Sequence, residues 1–154
     1  MAQPAAAKPV FVERPSLTLT RRFRARPEKV WAAWTDPETL IGWFCTTKAK
    51  PGTLRAELDV RPGGRYRISF DMESGEHSEV GGVYREVVPN ERLVFSWAWH
   101  STPERESLVT VAIRPDGDGA LMVFTHEQFF DETARDNHAK GWSELFAQLE
   151  TILA

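Results

Sequence analysis

Cysteine is almost missing from this chain: Cys45 is the only one, so no internal disulfide can form and nothing calls for an oxidising compartment. Cytoplasm is the expected location. Nowhere do about 18 apolar residues follow one another, and the opening residues lack the apolar core of a secretion signal, so no membrane insertion is expected. An excess of positive charge is absent too. The formal net charge is −3, which gives no bulk attraction toward nucleic acid or an anionic surface. His77, His100, His126, His138 and Cys45 are scattered with no CxxC or HxxxH spacing, no GxSxG elbow occurs, and the glycine pairs match neither a P-loop nor a dinucleotide fingerprint. No metal or cofactor is therefore expected.

What remains is a chain of 154 residues with 42% hydrophobic side chains and six Trp, enough for one domain around one core. Residues 1–16, with Pro4, Pro9 and Pro15 among alanines, read as a flexible arm, and 17–154 as a single domain. The domain is organised around its last stretch. From Asp131 to Leu153, the residues His138, Trp142, Leu145, Leu149 and Ile152 recur at steps of four and three, which places them on one stripe of a helix about 33 Å long. Asp131 suits the N-cap. Gly141 interrupts this helix at a cost of about 1 kcal/mol against Ala, a sign that the sheet or a ligand approaches there.

Ahead of that helix the pattern is mostly period two. Leu17, Leu19, Arg21 and Phe23 alternate with polar partners in a first strand; Pro27 and then Asp36-Pro37 open two short helices in series, the second running to about Ile41. Six strands follow. Leu54 to Val60, then Tyr66 to Met72, then Ser78 to Val88 are separated by Arg61-Pro62-Gly63-Gly64 and Ser74-Gly75, with Gly81-Gly82 reading as a bulge or bend. Leu93 to Trp99, Val109 to Ile113 and Leu121 to Phe129 complete the set, the last two joined at Asp116-Gly117-Asp118-Gly119. The order β-α-α-β6-α predicts an α+β fold: a curved antiparallel sheet gripping one long helix, with space between them.

Five stretches, RRFRARPEKVWAAWTDPETLIGWF, DVRPGGRYR, GGVYREVVPNERLVFSWAW, GALMVFTHEQF and HAKGWSELFAQLETIL, resemble the family of activator of heat shock protein 90 ATPase homologues. That family lies within the START-like, Bet v 1-like SRPBCC (helix-grip) superfamily. The resemblance runs from about Leu17 onward. It implies a curved seven-stranded antiparallel sheet wrapped around the C-terminal helix with a ligand cavity between them. It also implies a choice of roles, because relatives bind lipids and other hydrophobic small molecules, cyclise polyketides, or assist a chaperone.

Aromatic side chains are the main chemical feature, and they suit both a core and a pocket for a flat apolar ligand. Trp43, Tyr66, Phe70, Trp97, Trp99 and Trp142 are the aromatic candidates for the cavity wall, with His126 and His138 as its polar members. His126 is the best acid–base candidate, although Glu127 beside it must face the other way along a strand. A hydrogen-bonded structural histidine is the competing interpretation, and no residue is assigned a catalytic role. Arg65 and Arg67 flank Tyr66, where an arginine at the cavity mouth would hold an acid group. The leading expectation is a carrier of a hydrophobic small molecule; a chaperone cofactor and a cyclase- or hydrolase-like enzyme using a cavity His or Arg are the rivals.

Overall fold

A computed structural model describes residues 14–44 and 49–154 of the chain; Cys45, Lys48 and most of the arm fall outside the described residues. Strand β1 (Leu17–Phe23) leads into helices α1 (Pro27–Thr35) and α2 (Pro37–Trp43). Strands β2 (Arg55–Leu58), β3 (Arg65–Asp71), β4 (His77–Val88), β5 (Arg92–Trp99), β6 (Ser107–Asp116) and β7 (Gly119–Glu127) follow, and α3 (Glu132–Leu153) closes the chain. The strands form one seven-stranded sheet in the order β1-β7-β6-β5-β4-β3-β2, with every pair antiparallel. This is the helix-grip architecture, β-α-α-β6-α.

The period-two pattern explains which face is inside. Tyr66, Ile68 and Phe70 on β3, Phe95 and Trp97 on β5, Val109, Val111 and Ile113 on β6, and Met122, Phe124 and His126 on β7 are all buried. Because β1 and β2 lie at opposite edges of the sheet, α1 and α2 carry the chain from one edge to the other and cover one end of the hollow face. The 22-residue α3 lies along that face. Its Trp142 and Phe146 rings pack on Phe124 with centroids 4.6 and 5.0 Å away.

Helix ends follow capping chemistry in part. Asp131 caps α3, its carboxylate accepting from the Ala134 N–H at 2.8 Å. Asp36 does not cap α2 in that way: its carboxylate accepts from the Thr39 hydroxyl at 2.7 Å, and its own N–H ends α1 on the Ala32 carbonyl. Proline at the start of α1 and of α2 supplies the helical φ at a position that needs no N–H.

Three local expectations are corrected. Ile152 is 45% exposed, and the buried stripe of α3 runs through Phe146 and ends on Leu153. Gly81-Gly82 is not the bulge of β4; the register slips between Tyr84 and Glu86. The two glycines are there because backbone comes close, since a Cβ at Gly81 would lie 2.7 Å from the Tyr66 carbonyl oxygen and one at Gly82 would collide with that of Ser96. Finally, β7 stops at Glu127. Gln128 takes a positive φ of 65° and turns the chain, so Phe129 is buried from a loop, its N–H bonded to the Pro15 carbonyl at 3.1 Å.

The basic run at the end of β1 has a structural use. Arg22 reaches Asp116 at 3.0 Å and Asp118 at 2.9 Å, pinning the tight turn between β6 and β7 to the edge strand.

Candidate functional site

A pocket of about 270 Å³ opens between the sheet and α3. Phe70, Trp97 and Trp99 form its sheet wall, Asn137, His138, Gly141, Trp142 and Leu145 its helix wall, and Phe44 at the end of α2 closes it. The helix wall has its gap at Gly141, where an added Cβ would meet nothing within 4 Å. A side chain there would point into empty volume, so the missing one leaves the space open. Apart from Asn137 and His138 the lining is carbon-rich, and five of its nine residues are aromatic other than histidine. Such a wall favours a flat apolar guest.

Above the pocket runs a directed hydrogen-bond chain. His138 Nδ1 lies 2.7 Å from the Ala134 carbonyl oxygen, which can only accept, so Nδ1 carries the proton. Its Nε2 is therefore a lone pair, and the indole N–H groups of Trp99 and Trp97 both point at it, at 3.0 and 3.4 Å. His126 is arranged the other way round. Its Nδ1 accepts from the Trp142 indole at 3.1 Å; Nε2–H then donates to Ser107 Oγ at 2.7 Å, and that hydroxyl donates to the Trp97 carbonyl at 3.1 Å. Burial pushes the His126 imidazole down to about 2, and burial also lowers His138, opposed by its bond to Ala134. Both rings are neutral near pH 7. Neither has a lone pair free to act as a base, because each is occupied by an indole proton.

Of the eight cavity candidates, Phe70, Trp97, Trp99, His138 and Trp142 meet around this pocket. The other three lie elsewhere. Trp43 is fully buried between the helices, its indole donating to the Ala33 carbonyl at 2.8 Å. Tyr66 bonds the Ser96 carbonyl at 2.6 Å and lies against a smaller void of about 20 Å³. His126 is 0% exposed and is sealed by Phe129, whose ring centroid is 4.1 Å away.

The arginine expectation is corrected outright. With Tyr66 inward, its neighbours Arg65 and Arg67 must point outward, and they border a hollow of about 550 Å³ on the opposite face of the sheet. Arg67 is engaged there by Glu57 at 3.1 Å and Glu79 at 3.9 Å. This hollow is larger but mixed in charge, so the aromatic pocket beside α3 is the better site for an apolar ligand. Asn137 and Leu145 join the wall although the sequence did not single them out as lining residues. A second pocket of about 240 Å³ lies beyond Trp97, Trp99, Asn137 and His138; Arg105 borders it, with its guanidinium 4.0 Å over the Phe130 ring. Among the described residues no group of three or more His, Cys, Asp or Glu is placed to hold a metal ion, and no helix is long and apolar enough to cross a membrane.

A curved seven-stranded sheet closed over one long helix, with an aromatic pocket between them, defines a helix-grip protein of the START-like class. The chain belongs to the family described as activator of Hsp90 ATPase homolog 1-like proteins, whose model matches residues 24–154. It is 27% identical over 142 residues to the human activator of 90 kDa heat shock protein ATPase homolog 1, a match covering 91% of this chain and 38% of that protein. The chain thus spans well under half the length of that curated relative. Among solved structures it is similar to protein CV1439 from Chromobacterium violaceum, at 28% identity and a TM-score of 0.75, with 90% of this chain and 97% of that one covered. It is also similar to the Mll3558 protein from Rhizobium loti, at 26% identity and a TM-score of 0.74 over 90% and 96% of the two chains.

Proposed function

We propose that the protein takes up a hydrophobic, flat small molecule between the sheet and α3. The observation that carries this is the pocket of about 270 Å³ behind Gly141, walled by Phe44, Phe70, Trp97, Trp99, Trp142 and Leu145. A plain core would be filled there, since unfilled apolar volume weakens packing. Here a helix residue with no side chain faces it instead. The lone pairs of both nearby imidazoles are occupied by indole protons, which favours binding as the chemistry this wall offers and leaves an enzymatic role no free histidine base.

The test uses thermal unfolding against a panel of fatty acids, flavonoids, steroids and polyketide-like aromatics. A ligand at 100 times its dissociation constant adds about 2.7 kcal/mol and raises the midpoint by several degrees. Gly141→Leu, folded but with the space filled, is expected to lose that response. An undiminished response in this variant places the ligand elsewhere.

Membership of the family supports a second role, as cofactor of a chaperone. Capture of a 90 kDa heat shock protein by the purified chain, followed by a change in that chaperone's ATP turnover, is the expected outcome under this role. Absence of binding at micromolar concentration removes it.

A further inference from the structure

Two loops meet at the head of α3 and build the second pocket there. After β5 the Thr102 N–H bonds the Trp99 carbonyl and the Arg105 N–H bonds the Thr102 carbonyl, both at 3.0 Å. Pro103 sits at the second position of the latter turn, where its fixed φ is wanted. On the other side the positive φ of Gln128 buries Phe129 and leaves Phe130 57% exposed. The Arg105 guanidinium lies 4.0 Å over the Phe130 ring. That contact holds the cation through the ring face, and its N–H groups make no hydrogen bond or ion pair among the described residues.

Arg105 and Asp131 are the charged residues that border this hollow of about 240 Å³, and Trp97, Trp99 and Phe129 supply aromatic wall. Asp131 Oδ1 accepts from the Ala134 N–H to cap the helix, while Oδ2 has no partner among the described residues. One cation and one anion therefore face the same small space without pairing to each other. The remaining polar wall is neutral, and two of its members are already engaged: Ser107 by His126 and the Trp97 carbonyl, His138 by Ala134 and the two indoles.

Charge complementarity selects the guest. An acid would pair with Arg105 but be repelled by Asp131, an amine the reverse, and an uncharged molecule would use neither. A zwitterion answers both. The volume equals about eight waters, which suits one ring system with a short polar head and is too small for a long acyl chain. We infer that this pocket takes a free aromatic amino acid, its ring against Trp99 and Phe129, its carboxylate on the Arg105 guanidinium and its ammonium on Oδ2 of Asp131. The site shares Trp97, Trp99, Asn137 and His138 with the pocket beside Gly141 and does not require that pocket to bind anything.

The experiment compares L-tryptophan with indole-3-propionate, which lacks the ammonium, and tryptamine, which lacks the carboxylate. Dissociation constants are measured by titration calorimetry on the wild-type chain, on Arg105→Gln and on Asp131→Asn. Asn caps a helix as well as Asp does, so the second variant keeps the fold, and its thermal midpoint verifies this. L-Tryptophan is expected to bind the wild-type chain about fivefold more tightly than either analogue. Arg105→Gln should erase its advantage over tryptamine alone, and Asp131→Asn its advantage over indole-3-propionate alone. Such a crossed pattern does not arise from a general loss of packing. If L-tryptophan fails to bind, or binds no better than the analogues, the assignment is overturned, and uptake beside Gly141 stands or falls by its own panel. Binding that ignores both substitutions also overturns it, because the guest then lies away from Arg105 and Asp131.

Discussion

Trp142 donates its indole proton to His126 Nδ1 at 3.1 Å, which ties the middle of α3 to the end of β7 by a bond inside the apolar core. His126 must stay unprotonated at that nitrogen for the tie to exist. The same condition holds at His138, whose Nε2 receives two indole protons. The grip of the sheet on its helix is therefore written partly in the protonation of two imidazoles.

Acid is expected to weaken the fold through these rings. In the unfolded chain a histidine gains its proton near the ordinary value of 6.5, whereas His126 in the folded chain resists protonation down to about 2. Below pH 6.5 the unfolded state then binds more protons than the folded one, so stability drops as pH falls and is flat with respect to this residue above pH 7. The slope from His126 approaches about 1.4 kcal/mol per pH unit once its unfolded form is charged. His138, lowered in the same direction, adds to it. Urea midpoints between pH 8 and pH 4.5 check this, and a midpoint that stayed level down to pH 5 would contradict neutral buried rings.

Replacing His126 by Ala removes a buried ring and strands the Trp142 indole and the Ser107 hydroxyl together. The expected loss is roughly 2 to 5 kcal/mol, against about 1 to 3 for Ser107→Ala. Because both residues belong to one chain of bonds, the double variant should lose less than the two single losses added. Denaturant unfolding of the three variants measures the coupling. Strict additivity would mean that the Ser107–His126 bond contributes nothing.

Trp99→Phe takes away the closer of the two indole protons facing His138 Nε2. An imidazole relieved of a donor at its lone pair accepts a proton more readily. Its titration, followed by NMR of the ring protons, should shift upward toward the ordinary value. No movement would show that burial alone, without the indoles, keeps His138 neutral.

Two glycines, Gly141 on α3 and Gly82 on β4, should respond oppositely to Ala. Gly141→Ala puts a methyl into open space and restores helix propensity, so a gain of about 1 kcal/mol is expected. Gly82→Ala drives a methyl against the Ser96 carbonyl and should cost about 1 to 3 kcal/mol. Thermal midpoints separate the two. If Gly141→Ala stabilises the fold while weakening ligand uptake, the glycine is retained for the pocket at the expense of the helix.

Much of this arrangement is legible in the one-dimensional pattern, because strand alternation and helix periodicity are local properties. The element order, Pro27 and Pro37 as helix openers and Asp131 as cap all follow from short-range chemistry. Alternation also held the answer for the arginines: once Tyr66 is inward, Arg65 and Arg67 cannot be. Depth is a different matter. Trp43 and Trp97 look alike in sequence, yet one is sealed between two helices and the other borders open volume, because that depends on which distant element lies over each. His126 illustrates the same point, since Phe129 covers it from a loop created by the positive φ of Gln128, a non-glycine residue that carries no turn signature. At the end of α3, Ile152 and Leu153 stand three and four residues beyond Leu149. Helical spacing alone admits either one to the buried stripe.

The pairing of β1 with β7 joins positions far apart in the chain: Thr18 faces Thr125, 107 residues away. Ribosomes add roughly 5 to 20 residues per second, so β1 waits about 5 to 20 s for β7, its sheet neighbour among the described residues, to be made. The strand cannot hold a partner during that interval, and α3, half the wall of the pocket, is made later still. Folding of this sheet and helix must therefore follow the synthesis of β7 and α3, slowed by the entropy of closing a long loop. No ligand can meet its complete binding surface on a nascent chain that has not yet delivered α3.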